Sequence, residues 1–311
     1  MSTDRDISIS DTLEQPQATD IAISDYLLDL HGFEAVPHAQ YAPLDGLAPG
    51  SAEAQARQRQ LVERIKLPLE IKTRGTGIVL RLIPPGEFMM GSPENEQGRK
   101  SDELLHRVTI TQPFYIGAYQ VTQGQWRKVT GSNPSHFRQV GENAPVNRVS
   151  WNDCQTFLRK LEEVEGLGSN RLRLPTEAEW EYACRAGTTT PFCFGDRLDS
   201  SMANFDGNYP YGDAQKGVYR KKTTPVGSFK PNAWGFYDLH GNVREWCADW
   251  YGQYTGDARD PTGPASGSDR VMRGGSWYDS AGDCRSAYRS SFCPDGDWYS
   301  GGLRVCLPAG Q

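Results

Sequence analysis

Residues 270–305 read RVMRGGSWYDSAGDCRSAYRSSFCPDGDWYSGGLRV, and two kinds of sequence alternate in them. The ends, Arg273-Gly274-Gly275-Ser276-Trp277 and Gly302-Leu303-Arg304-Val305, carry the apolar and glycine punctuation of buried strands, where a missing side chain lets another backbone come close. Between them stand Tyr278, Asp279, Ser280, Asp283, Tyr288, Ser290, Ser291, Phe292, Asp295, Asp297, Trp298, Tyr299 and Ser300, with neither a period of two nor one of 3.6. Tyr and Trp give large amphipathic contact area at low entropic cost, and Ser, Asp and Gly give adaptable polar contacts, which is the composition of recognition loops. The stretch therefore reads as a binding surface. An irregular aromatic loop that only closes the fold has the same composition, because loops are polar and exposed for general reasons.

Outward from this stretch, bulk properties set limits. The 311 residues suit one large or two ordinary domains. A net charge of -6 and a pI near 5.5, with no basic cluster, argue against a nucleic-acid or anionic-membrane partner. Thirty-three Gly and twenty Pro beside eight Trp and fourteen Tyr indicate a loop-rich fold held by aromatic packing. The first thirty residues are acidic and lack the basic and apolar regions of a secretory signal. No apolar run approaches the roughly 18 residues of a membrane span, so the expected location is cytoplasmic by default. Seven cysteines without a C-x-x-C, and five histidines without H-x-H or H-x-x-x-H spacing, give no zinc or haem motif. Reduced, mostly buried thiols are expected in that compartment.

Residues 1–68 are expected to form a loosely ordered lead-in with a short apolar patch at Ile23–Leu30 and one helix over Ser51–Ile65, ending before Pro68. From Leu69 the texture changes to short strands, in LEIKTRGTGIVLRLI, GEFMMGS and HRVTITQPFYIGAYQV. Three helices carry start signals. Thr122 with Gln125 forms a capping box, Ser150 opens a helix stopped by Gly166, and Thr176 with Glu179 opens one stopped by Gly187. Glu177, Glu179 and Glu181 are expected to serve capping and the helix dipole. Asn204–Lys222 is too long and too rich in Gly and Tyr for a mere connector, and is a candidate rim of a site. In Trp234–Trp250, Asp238 and Glu245 flank Gly241 and Val243, whose carbonyls a turn can aim one way. Oxygens of that kind suit calcium, which takes about 6 to 8 of them, but a turn satisfied by its own carboxylates has the same spacing.

The ordered blocks GEFMMGS, YQVTQGQW, PVNRVSWNDC, RLPTEAEWEYACRAGT, TTPVGSFKPNAWGFYDLHGNVREWCADW, DRVMRGGSW and GGLRV resemble those of the formylglycine-generating enzyme (sulfatase-modifying factor) family. The resemblance covers about residues 69–308. It implies an α+β, C-type-lectin-like fold: small twisted antiparallel sheets, two or three helices and much irregular structure. It also implies a structural calcium site on Asp238, Gly241, Val243 and Glu245. A second family calcium site would use Asn204 and the Phe205 carbonyl, but Val218 stands where the family has its aspartate. The family's oxidases place a C-x-x-x-x-C pair just after the GGS-aromatic block, and soft thiolates of that kind hold copper. Residues 277–283 contain no cysteine, so no copper and no oxidase activity are expected. A copper-dependent oxidase with a rearranged site is the alternative.

Within this fold family the sequence looks like a variable protein of a diversity-generating retroelement, in which adenine-directed mutagenesis rewrites asparagine-rich codons near the C-terminus. Such rewriting yields the residues found at 278 to 280, 283, 288, 290 to 293, 296, 297 and 299 to 301, with Cys284, Arg285, Ala287, Arg289 and Pro294 as framework. Two departures are Leu303 where Phe is usual and continuation of the chain to Gln311. The resemblance implies a non-enzymatic protein that presents a variable region of about 271–305 to a protein or other macromolecular ligand. The candidate contacts are Tyr278, Asp279, Ser280, Asp283, Tyr288, Ser290, Ser291, Phe292, Cys293, Asp297, Trp298, Tyr299 and Ser300. Trp277, Arg273 and Arg304 are expected to be frame.

Overall fold

The computed structural model describes residues 31–308, so the patch Ile23–Leu30 lies outside them. Local sequence dictates most at helix starts, and among the described residues four α-helices form: α1 (Ser51–Ile65), α2 (Gln123–Thr130), α3 (Trp151–Glu165) and α4 (Glu177–Arg185). In α2, α3 and α4 the hydroxyl of Thr122, Ser150 or Thr176 accepts the N–H three residues on, and that third side chain returns a bond to the cap N–H. Two N–H groups that the helix cannot satisfy are met at each start. Gly166 ends α3 as expected, whereas α4 ends one residue before Gly187, on Ala186 at φ 43°. Gly187 has another task. A Cβ there would lie 2.5 Å from the Gly50 carbonyl oxygen, so the glycine lets the end of α4 meet the start of α1.

Among the described residues the strands form three small sheets. The first has five strands in the order β1 (Phe33–Ala35), β2 (Glu70–Thr73), β3 (Val79–Ile83), β6 (Phe114–Gly117) and β12 (Cys306–Pro308), all antiparallel. The second runs β10 (Ser290–Phe292), β9 (Arg270–Arg273), β7 (Arg244–Trp250) and β11 (Gly301–Gly302). The third is β4 (Gly86–Met90), β5 (His106–Ile110) and β8 (Ala258–Arg259). The expectation of antiparallel sheets needs one correction, since β11 pairs with β7 and β8 with β5 in parallel. Both parallel strands are two-residue pieces arriving from long loops, and loops are free to return in either sense.

β1 and α1 belong to the segment expected as a lead-in, yet they pack into the first sheet and the core. Gln58 donates to the Leu82 carbonyl at 2.7 Å, and Trp234 donates its indole N–H to the Ala54 carbonyl at 2.8 Å. Trp126, Phe157, Leu161, Leu80, Tyr115 and Trp246 lie in one buried cluster, and Trp180, Trp234, Ile116, Val108 and Cys247 in a second. Leu303 and Val305 are wholly buried in the first, so the strand-like end of the 270–305 stretch is core.

Candidate functional site

The site begins with a frame of arginines. Arg273 on β9 is fully buried; it reaches Glu177 and Glu181 of α4 and donates to the Ser286 carbonyl at 2.6 Å. Arg285 is held by both oxygens of Glu103 at 2.8 Å, Arg289 by both of Glu177 at 2.7 and 2.9 Å, and Arg304 by both of Glu245 at 3.0 and 2.9 Å. Planar guanidinium and carboxylate groups paired in this way fix orientation as well as charge. Opposing carboxylates overcome the cost of burial and hold the Arg273, Arg285 and Arg289 guanidinium groups firmly protonated. Glu177 and Glu181 therefore do more than favour a helix dipole: they anchor the C-terminal stretch. The partners in these pairs stand 59 to 182 positions apart, so no local period reveals the pairing.

On this frame the candidate contacts divide. Cys293, Asp297, Trp298 and Tyr299 are exposed; Tyr278, Ser280, Asp283, Tyr288, Ser290, Ser291 and Phe292 are half-buried. Asp279 and Ser300 are corrections. Asp279 is only 7% exposed, because Arg244 binds both of its oxygens and the Ser276 hydroxyl donates to it at 2.6 Å. Ser300 is wholly buried where its carbonyl accepts the Arg244 N–H at 2.8 Å. Ser280 and Asp283 are tied to each other across a short 3-10 turn, Ala281–Cys284. Ser290, Ser291 and Phe292 form β10 beside β9.

What faces solvent is an aromatic surface. Tyr278 and Tyr299 lie 5.2 Å apart between ring centres, Trp298 stacks on Tyr299 at 5.4 Å, and Phe292 meets Trp298 at 5.1 Å. Trp298 also donates its indole N–H to the Tyr278 hydroxyl at 2.8 Å. Trp277, expected as frame, is the hub: Phe137 packs edge-on at 5.0 Å, Tyr219 stacks at 6.3 Å, and Tyr278 and Tyr299 lie at 5.2 and 6.1 Å. An open depression of about 670 Å³ lies among Trp277, Phe292, Trp298, Tyr299, His136 and Arg148. Sequence reading missed Phe137, His136 and Arg148, which stand more than 120 residues before their neighbours at this surface. Tyr219 belongs to the loop expected to form a rim.

The four residues of the calcium expectation do converge. The carbonyl oxygens of Asp238, Gly241 and Val243 and one Glu245 carboxylate oxygen surround the side-chain nitrogen of Gln120 at 3.1, 3.3, 3.0 and 2.9 Å. Asp238 contributes its carbonyl; its carboxylate takes the Gly227 N–H through Oδ2 and leaves Oδ1 buried without a partner. One amide nitrogen has two hydrogens for four acceptors, so the cradle is richer in oxygen than its occupant can satisfy. Gln120 Oε1 is itself buried without a partner. Turning that amide over would add a fifth oxygen, and a set of hard oxygens of this kind fits calcium. Arg304 on Glu245 already neutralises part of its charge. At the position of the family's second calcium site Val218 is exposed, while Asn204 donates to Lys222 and Asn242.

Six of the seven cysteines are buried, and Cys293 alone is exposed. Burial pushes the thiols of Cys154, Cys184, Cys193, Cys247, Cys284 and Cys306 up, away from the reactive thiolate. Among the described residues no group of three or more His, Cys, Asp or Glu is placed to hold a metal, and no helix is long and apolar enough to cross a membrane.

The Sulfatase-modifying factor enzyme 1-like domain matches residues 70–308. The chain belongs to this family. It is 32% identical over 221 residues to the formylglycine-generating enzyme of Mus musculus, covering 67% of this chain and 55% of that one, so it spans about half the length of the mouse protein. It is 33% identical over 249 residues to the chaperone protein LppX of Paenibacillus barcinonensis, covering 66% of this chain and 84% of that protein. Among solved structures, Treponema denticola variable protein 1 superposes with a TM-score of 0.66 at 28% identity, covering 78% of this chain and 99% of the other. PvdO from Pseudomonas aeruginosa superposes at 0.64 with 30% identity, covering 77% and 97%. The α+β, C-type-lectin-like expectation therefore stands, as does the likeness to both the enzymes and a variable protein of this family.

Proposed function

We propose that this chain is a non-enzymatic binding protein that presents the aromatic surface around Tyr278, Trp298 and Tyr299 to a protein or other macromolecular ligand. The observation that carries this reading is the division of labour within residues 277–301. Asp279 is held beneath by Arg244, the Ser286 carbonyl by Arg273, and Arg285 and Arg289 by Glu103 and Glu177, while Trp298 and Tyr299 stay 39% and 38% exposed. Large rings on a rigid base are the usual energetic centres of interfaces. Substitution at solvent-facing positions on such a base moves stability by about 0.5 kcal/mol or less, which is what a diversified region requires. The absence of cysteine from residues 277–283 also supports a role without thiolate-copper chemistry.

The gene tests this directly. Sequencing the 3′ end and its flanks is expected to find a near-copy of the segment encoding residues 271–305 that differs only at adenines and lies beside a reverse transcriptase. Absence of such a copy, together with oxygen-dependent oxidation of a cysteine peptide by copper-loaded protein, overturns the reading in favour of an oxidase of the family's type.

We further propose a structural calcium ion in the cradle of the Asp238, Gly241 and Val243 carbonyls and Glu245, with Gln120 turned to offer its oxygen and water completing the shell. The ion would tie the turn before β7 to the loop that carries Gln120, and so brace the base of the binding surface.

A further inference from the structure

A second cavity, of about 330 Å³, shares no residue with the aromatic surface. Its walls include Trp250, Tyr254, Pro261, Pro264 and Met90, and Asp249 of β7 lies in its lining. This volume falls within the range of small-molecule sites, which are mostly apolar with a few placed polar groups.

Asp249 is the unusual member. Each neighbouring buried carboxylate has its arginine: Glu179 has Arg173, Glu181 has Arg185 and Arg273, and Glu177 has Arg289 and Arg273. Asp249 is 4% exposed and has no ion-pair partner among the described residues; one carboxylate oxygen accepts the Glu177 N–H at 2.8 Å. A buried carboxylate is ordinarily paired or coordinated. The Tyr254 hydroxyl is likewise buried without a partner, and its ring is fixed between His106 at 4.7 Å and the Arg289 guanidinium at 3.9 Å. Arg289 and Glu177, also in the lining, form a closed pair, and Arg270, stacked 3.5 Å over the Trp250 ring, donates to the Ala248 carbonyl, so among the described residues no guanidinium forms an ion pair with Asp249.

We propose that this cavity binds a small primary ammonium compound, its charged nitrogen on the Asp249 carboxylate and its apolar body against Trp250, Pro261 and Pro264. An anion is disfavoured by Asp249, and a bare metal ion would leave the apolar walls unused.

The test uses the full-length protein and pairs of isosteric probes: butylamine with butanol, and phenethylamine with phenethyl alcohol, each titrated to millimolar concentration and followed in ¹⁵N-labelled protein. The expected result is saturable binding of the amines, with shifts of the Trp250 indole N–H and the Gly252 and Gly263 amides, and at least ten-fold weaker binding of the alcohols. Asp249→Asn keeps an acceptor for the Glu177 N–H and is expected to weaken the amines at least ten-fold. No amine binding at millimolar concentration overturns the proposal, as do equal binding of amine and alcohol or shifts confined to other parts of the protein. The shift map of the unsubstituted protein decides the matter even where the variant fails to fold.

Discussion

Arg244 binds Asp279 through two hydrogen bonds, 3.0 Å from Nε and 2.7 Å from the terminal nitrogen, and so ties the start of β7 to the loop that follows Trp277. The pair is largely buried, with the two side chains 14% and 7% exposed. Removing one member leaves the other charged and enclosed, which costs about 3–5 kcal/mol.

Asp279→Ala is therefore expected to destabilise the fold by about 3 kcal/mol or more. Asp297, only 18 residues on, pairs with Arg148 at 3.0 Å on the open surface, and Asp297→Ala is expected to cost less than about 1 kcal/mol. Urea unfolding of the two variants checks this, and similar costs would mean that the stretch has no division between frame and surface.

Alanine in place of Tyr278, Trp298 and Tyr299 together is expected to abolish binding to a selected macromolecular ligand while the protein remains folded. Single replacements are expected to weaken binding by about 2 kcal/mol each where the ring is an interfacial centre. Surface plasmon resonance with circular dichroism as the folding control measures both. Unchanged affinity in the triple variant would place the binding surface elsewhere.

Calcium is expected to raise the unfolding temperature and a chelator to lower it, because an ion bound only by the folded chain stabilises it by mass action. Glu245→Gln removes the one carboxylate among the cradle's four converging oxygens and is expected to weaken calcium binding, read by calorimetric titration. Equal unfolding temperatures in excess calcium and in chelator, with no heat of binding, would leave Gln120 as the sole occupant of the cradle.

Burial, and then the neighbouring Glu177 charge, push the Asp249 carboxyl up to about 7 from its usual 3.8. Between those values the folded protein holds a proton that the unfolded chain has released. Stability is therefore expected to fall as pH rises through about 4 to 7, by at most about 1.4 kcal/mol per pH unit. Urea midpoints across this range should show a shallower decline in Asp249→Asn, and identical slopes would exclude Asp249 as the group responsible.

Much of the framework was legible along the chain. The cap residues Thr122, Ser150 and Thr176 placed three helix starts, because a helix start is governed by residues within one turn of each other. The cluster of Tyr, Trp, Ser and Asp after Trp277 marked the surface stretch, because its composition suits neither a sheet face nor a helix face. The individual roles within that stretch were not legible. Asp279 and Asp297 are the same residue type in the same loop-rich segment, yet one is enclosed by Arg244 and the other meets solvent.

By itself, then, the sequence determined the helix starts, the family's ordered blocks and the position of the aromatic stretch, all of which depend on neighbours near in the chain. Only the tertiary structure decided which side chains of that stretch are frame and which are surface, that Phe137 and Tyr219 complete the aromatic face around Trp277, that Gln120 sits in the oxygen cradle, and that Asp249 has no ion-pair partner among the described residues. Each of these depends on partners that stand 35 or more residues away, and burial and pairing over such distances arise only when the chain has folded.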